Sequence, residues 1–269
     1  MEKDLLGSLE LNRIYQFDCV EGMKLIPENS IDLTVTSPPY DQLRDYKGYS
    51  FNFEEVAQEL YRITSIGGVL VWVVGDSVKN GSETLTSFKH ALYFKEIGFN
   101  AHDTMIFEKS TSPFPERNRY NQKFEYMFIF SKGKPKVANL LKEIARSNLK
   151  RLGKQDGSYR KQNGEIYEGK YESRKKEKTK GNIWYYAVGM NCTTKDKFAF
   201  EHPAMFPEKL AEDHILSWSN EHDIVFDPFI GSGTTAKMAQ INNRKWLGFE
   251  VSPEYIEIAN KRLDDLVGY

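Results

Sequence analysis

Asp223-Ile-Val-Phe-Asp-Pro-Phe-Ile-Gly-Ser-Gly-Thr-Thr-Ala236 reads as a strand, a glycine turn and the start of a helix. Gly231 and Gly233 let the backbone turn sharply and come close to a ligand, at the end of a strand and the mouth of a helix. The helix continues over 234–241. Lys245-Trp-Leu-Gly-Phe-Glu250 is the next strand and ends on an acid, and 253–267 is a closing helix. Strand, helix and strand in that order form a βαβ unit, which puts the two strands parallel in one sheet.

Glu250 lies nineteen residues past Gly231. At the end of the second strand it faces a ribose held over the glycine turn, where a carboxylate can accept both hydroxyls. Gly231-x-Gly233-x-x-Ala236 also fits the dinucleotide fingerprint. An adenosine-like ligand follows, and the glycines leave open whether it is a dinucleotide.

Upstream, the alternation continues. Residues 12–20 read as a short strand ending at Asp18, and 21–26 as a helical turn before Pro27. Residues 53–65 have helical spacing, with Phe53, Val56, Leu60 and Ile63 on one face and Gly67-Gly68 as the stop. Val69–Val74 is apolar throughout, the pattern of a strand covered on both faces. A helix over 83–97 and strands over 101–108 and 124–130 follow. Structure resumes near Ile183–Tyr186, and His202-Pro-Ala-Met-Phe-Pro207 leads into a helix at about 207–219. The class is α/β.

A second stretch carries chemistry. Ile31–Thr36 reads as a strand that stops at Ser37-Pro38-Pro39-Tyr40, because proline cannot donate to a ladder. The two prolines make the loop extended and stiff. Such a loop suits a planar group carrying an exocyclic amine: Tyr40 can stack on it, while the Ser37 hydroxyl and Pro38 carbonyl accept the amino hydrogens. Taken alone, Ser-Pro-Pro fits a proline-terminated edge strand with an ordinary turn better, and Tyr40 only narrows the gap.

Composition sets the bounds. The chain has 269 residues, 40% apolar and 28% charged, as in an ordinary soluble globular protein. No apolar run approaches the roughly 20 residues that span a bilayer, and Met1-Glu-Lys-Asp-Leu-Leu lacks a signal-peptide core, so an intracellular, cytoplasmic protein without a membrane partner is expected. Cys19 and Cys192 are the only cysteines, which argues against a disulfide framework or a cysteine zinc site, and no metal cluster is visible. The net charge of −1 hides a split. Residues 132–182 carry 16 Lys and Arg against 6 Asp and Glu; the remainder carries 21 against 32. A strongly basic segment in an acidic body suggests a module for a polyanion. Its bland alternative over 150–180 is a solvated surface loop.

Thr36-Ser-Pro-Pro-Tyr40 together with Asp227-Pro-Phe-Ile-Gly-Ser-Gly-Thr-Thr235 resembles the S-adenosylmethionine-dependent DNA amino-methyltransferases. The order, Pro-Pro-Tyr loop first and glycine loop near the C-terminus, is similar to their β group. The similarity covers most of 12–131 and 198–265 and fails over 132–197, where that group carries a target-recognition region. It implies a doubly wound, mostly parallel, seven-stranded Rossmann-like sheet with permuted motif order. Residues 1–131 and 198–269 would form the catalytic domain and 132–197 the basic target-recognition insert.

Carried over by position, Ser37, Pro38, Pro39 and Tyr40 form the catalytic loop. Asp227, Pro228, Phe229, Gly231, Ser232, Gly233 and Thr234 would line the methionine and ribose side of the cofactor, with Glu250 on the ribose hydroxyls and Asp18 at the adenine amino group. His202, Pro203 and Phe206 resemble the remaining cofactor-side motif. Asp18 also fits a simple strand-end acid, and His202 a satisfied surface histidine. Lys154, Arg160, Lys161, Arg174 and Lys175 of the insert, with Arg44 and Lys47 of the 41–50 loop, are candidate DNA contacts.

The resemblance implies methylation of a flipped base in double-stranded DNA. Ser-Pro-Pro-Tyr resembles the cytosine-N4 members and Asp-Pro-Pro-Tyr the adenine-N6 members, so cytosine N4 is expected, with adenine N6 as the alternative. Methylation at cytosine C5 is disfavoured, because neither cysteine follows a proline in a loop of that kind. A nicotinamide oxidoreductase would leave the Pro-Pro-Tyr loop unexplained. A catalytically silent DNA-binding module and an RNA or protein amide methylase are the other competitors. A restriction endonuclease partner, the oligomeric state and the recognised bases stay open.

Overall fold

Eight strands form the central sheet of the computed structural model, which describes residues 4–39, 52–111, 118–145, 156–170, 175–202 and 204–267. They are β1 (Arg13–Gln16), β2 (Ile31–Thr36), β3 (Thr64–Val74), β4 (Asn100–Lys109), β5 (Phe124–Ser131), β6 (Ile183–Tyr186), β7 (Ile224–Asp227) and β8 (Lys245–Glu250). Their order is β6-β4-β5-β3-β2-β7-β8-β1. β5 is antiparallel to both neighbours and every other pair is parallel.

Side chains alternate between the two faces of a strand, and the core follows that rule. Ile31, Leu70, Trp72, Val74, Phe226, Leu247 and Phe249 join one buried cluster with Met23, Val56, Leu60, Ile63 and Phe94. These last come from α1 (Cys19–Met23), α2 (Phe53–Ile63) and α3 (Thr86–Glu96), so the three helices cover that face. The alternate residues Leu33, Val35, Val69, Val71, Val73 and Val225 are buried as well. On their side α4 (Glu208–Trp218) packs on β2, and α5 (Thr234–Ile241) packs on β7 and β8. The helix α6 (Pro253–Val267) packs beside α5.

Two expectations change. The sheet has eight strands rather than seven, because Ile183–Tyr186 pairs in parallel with β4, burying Trp184 and Tyr186 while Ile183 and Tyr185 stay exposed. Gly67-Gly68 does not end α2. That helix stops at Ile63, and Thr64 turns its backbone N–H and its hydroxyl onto the Leu60 carbonyl. The glycines lie inside β3, where its register against β2 shifts between Ile31 and Leu33.

β2 and β7 are neighbours, yet the chain runs from β2 to β3 on one side and from β7 to β8 on the other. Ligands of open α/β sheets sit at the carboxyl ends of strands where the order reverses in this way.

Leu140–Gly181 forms a second compact unit, narrower than the expected 132–197. Its described part holds two antiparallel ribbons: Lys142–Ile144 with Glu177–Thr179, and Asp156–Arg160 with Ile166–Lys170. The second ribbon closes through a tip in which Gly164 N donates to Lys161 O and Lys161 N donates to Glu165 O.

Candidate active site

The Ser-Pro-Pro strand end and the glycine turn are joined by one buried carboxylate. Asp227 ends β7 and is 2% exposed. Its Oδ1 accepts from the Thr36 hydroxyl at 2.6 Å and from the Phe229 N–H at 3.0 Å. Its Oδ2 accepts from the Thr235 hydroxyl, 2.7 Å away, and that hydroxyl also lies 3.1 Å from the Val35 carbonyl. Burial pushes the Asp227 carboxyl up to about 6, against the hydrogen bonds from Thr36, Thr235 and Phe229. Asp227, expected to line the cofactor, also ties the end of β2 to the turn and to the first residues of α5 through these three bonds. Ser37 and Pro39 follow half-buried and Pro38 buried; Tyr40 lies outside the described residues.

In the turn, Pro228 is buried and Phe229 half-buried. Gly231 has φ +49° and Gly233 φ +81°, the left-handed region that favours glycine. A Cβ on Gly231 would stand 2.7 Å from His202 Nε2, and one on Gly233 would stand 2.9 Å from Ala259 Cβ. Ser232 and Thr234 are buried in the turn between β7 and α5.

Glu250 reaches back to this turn. Its Oε2 accepts from Gly231 N at 3.0 Å, and its Oε1 accepts from Val251 N and Ser252 N, both at 2.9 Å. Burial raises its pKa, and the three N–H donors oppose that shift. Each carboxylate oxygen has two lone pairs, so Oε2 retains acceptor capacity for a hydroxyl held over the turn.

On the next strand, Gln16 of β1 lies opposite Glu250. Asp18 follows it at the carboxyl edge and caps α1, with Oδ1 accepting from Val20 N at 2.9 Å and Glu21 N at 3.3 Å. The helix cap accounts for that oxygen, so the simple strand-end alternative fits it. His202 is buried, not a surface histidine: its ring packs against the Gly231 backbone and lies edge-on to Tyr255 at 4.3 Å between centroids. Its Nδ1 accepts from Ala204 N. Phe206 is half-buried ahead of α4, and Pro203 lies outside the described residues.

Of the candidate DNA contacts, Arg160 and Lys161 are exposed at the end of the Asp156–Arg160 strand, and Lys175 is exposed just before Glu177–Thr179. Lys161 reaches Glu165 at 3.3 Å. Arg44, Lys47, Lys154 and Arg174 lie outside the described residues. Among the described residues, no group of three His, Cys, Asp or Glu could hold a metal ion, and no helix is long and apolar enough to cross a membrane.

Sequence reasoning missed Asp196, Glu208, Lys237 and Arg262, which meet beneath the turn. A faint signal existed: Lys237 interrupts the small-residue run that opens α5, where a solvent-facing charge is out of place.

Known proteins share this architecture. The orphan methyltransferase M.BamHII of Bacillus amyloliquefaciens is 62% identical over 245 residues, covering 90% of this chain and 92% of that one. The cytosine-N4-specific PvuII DNA methyltransferase superposes with a TM-score of 0.67 at 22% identity, covering 93% of this chain and 85% of that one. The M1.HpyAVI–SAM complex superposes with a TM-score of 0.61 at 21% identity, over 93% and 98%. Residues 31–261 match the DNA methylase family N6_N4_Mtase, and with its Ser-Pro-Pro strand end bonded to its glycine turn the chain belongs to that family.

Proposed function

We propose that this DNA methyltransferase moves a methyl group from S-adenosylmethionine to the exocyclic amine of a base flipped out of duplex DNA, with cytosine N4 as the acceptor. The observation that carries the proposal is the Thr36–Asp227–Thr235 set of hydrogen bonds, which holds the Ser-Pro-Pro loop beside the glycine turn. Two loops fixed to one carboxylate can hold donor and acceptor in a near-attack arrangement.

Bound over the turn, S-adenosylmethionine would supply an electrophilic methyl carbon with its sulfur as the leaving group. The acceptor amine is a poor nucleophile, because its lone pair is delocalised into the ring. The Ser37 hydroxyl oxygen and the Pro38 carbonyl would accept hydrogen bonds from its two N–H groups and favour a pyramidal nitrogen with its lone pair aimed at the methyl carbon; the methylated nitrogen then loses one of those protons to solvent. Tyr40 stacks on the flipped base and offsets part of the few kcal/mol that flipping costs. Glu250 holds the ribose hydroxyls through the acceptor capacity left on Oε2, and His202 closes the face of Gly231. The basic Leu140–Gly181 unit supplies phosphate contacts.

Cytosine N4 rests on Ser37, the residue shared with the cytosine-N4 members that the loop resembles. The test is to incubate the protein with unmethylated genomic DNA and methyl-labelled cofactor, then digest and separate nucleosides by mass. Label in N4-methylcytosine is expected. Label in N6-methyladenine would overturn the base while keeping the chemistry, and label only with RNA or protein acceptors would overturn the DNA substrate.

A further inference from the structure

Four charged side chains from four separate segments converge under the glycine turn. Asp196 precedes the 3-10 turn Lys197–Glu201, Glu208 opens α4, Lys237 lies in α5 and Arg262 in α6. Arg262 is 1% exposed. Its Nε donates to Asp196 Oδ2 at 2.8 Å, and one terminal nitrogen donates to Glu208 Oε1 at 2.6 Å. The other terminal nitrogen donates to the Ser232 carbonyl at 2.7 Å and lies 3.2 Å from Ser232 Oγ and 3.1 Å from Thr234 Oγ1. Lys237 Nζ joins the same two acids at 2.6 and 2.8 Å. Burial acts to raise the Asp196 carboxyl, and the bonds from Lys237 and Arg262 outweigh it to leave the group below its ordinary value.

A buried ion-pair cluster is weak evidence for stability, since well-packed apolar residues of the same volume often do as well. What apolar residues cannot reproduce is a set of directed bonds. A guanidinium carries five donors in a rigid fork, and here the fork points at a main-chain carbonyl and a hydroxyl of the glycine turn. Its other arms hold the two acids that flank the segment carrying His202, whose ring packs on Gly231.

We propose that Arg262 is a positioning residue for cofactor binding: it fixes the Ser232 carbonyl and Thr234 hydroxyl, and through Asp196 and Glu208 it fastens the His202 segment to the same turn. This rests on the S-adenosylmethionine assignment above. Lysine has the charge but not the fork, so Arg262→Lys keeps neutrality and loses the geometry.

The experiment titrates the full chain and its variants with S-adenosylmethionine by calorimetry, follows thermal unfolding, and measures methyl transfer to DNA against cofactor concentration. For Arg262→Lys we expect the cofactor Kd and KM to rise at least tenfold, with kcat at saturating cofactor within threefold of wild type. Asp196→Asn should add less than twofold to the Kd in the Arg262→Lys background, because both changes break one link. A Kd within twofold of wild type for Arg262→Lys, or fully multiplicative effects of the two changes, would overturn the proposal. If Arg262→Lys fails to fold, Asp196→Asn loosens the guanidinium without touching the turn; a threefold or larger rise in Kd supports the role and an unchanged Kd overturns it. Wild-type protein that binds no S-adenosylmethionine would sink the cofactor assignment instead.

Discussion

Asp227 ties the end of β2 to the start of α5 with a carboxylate whose charge burial disfavours. Its folded pKa of about 6 stands above the 3.8 of a free aspartate, so it contributes stability that is full below the unfolded value and is lost as pH rises through about 6. The difference corresponds to roughly 3 kcal/mol of burial cost for the ionised form at neutral pH. Asp227→Asn removes the charge and keeps the shape: the amide oxygen can accept from Thr36 and Phe229, and the amide nitrogen can donate to Thr235, which then donates to Val35. Urea denaturation at pH 7.5 should show no loss of stability, and this residue's share of the pH dependence between about 4 and 6.5 should vanish. A loss above about 2 kcal/mol would show that the fold needs the charge. Gly231→Ala is expected to be costly. Its Cβ would meet His202 Nε2 at 2.7 Å in a left-handed backbone, so destabilisation of roughly 1–3 kcal/mol is expected in thermal melts.

Among the elements, the basic unit should separate from the cofactor site. Lys142 faces Thr179 across a ladder, so residues 143–178 can be replaced by a two-residue link without straining the remaining chain. That variant should keep its S-adenosylmethionine affinity within about twofold and lose preference among DNA sequences when methylated positions are mapped; a collapse of cofactor binding would count against the division. Elements with strong local signals were legible in the sequence: the strands at 31–36 and 245–250 and the helices at 234–241 and 253–267 have the expected bounds. Their periodicity is local, and their ends carry prolines, glycines or an acid. The β6 strand was less legible because its pairing with β4 spans a long stretch of chain. The charged cluster was barely legible, with Lys237 its one faint signal. Arg262 finds Asp196 and Glu208 at separations of 66 and 54 residues, and no local pattern distinguishes such an arginine from one on a solvated helix face. The link from Asp227 to Thr36 was hidden for the same reason, since the two lie 191 residues apart.

For the whole molecule, the charge split governs how DNA is met. The acidic remainder repels the backbone and the basic segment attracts it, so binding is expected to be oriented and strongly salt-dependent. If six phosphates are contacted, affinity for random duplex should fall about a thousandfold between 50 and 200 mM salt, with a log–log slope near −5 in fluorescence anisotropy titrations. A slope near zero would remove the insert from DNA binding. In the function proposed above, the glycine turn with Glu250 binds the cofactor and the Ser-Pro-Pro-Tyr loop carries methyl transfer, with Asp227 bonded to both Thr36 and Thr235 between them. Ser37→Ala tests it most directly, with cofactor Kd and single-turnover methyl transfer to DNA measured on the same protein. The account predicts a Kd within about twofold of wild type and a transfer rate lowered about a hundredfold, the scale of one lost acceptor in a preorganised site. Transfer at the wild-type rate, or loss of cofactor binding with it, would contradict the account.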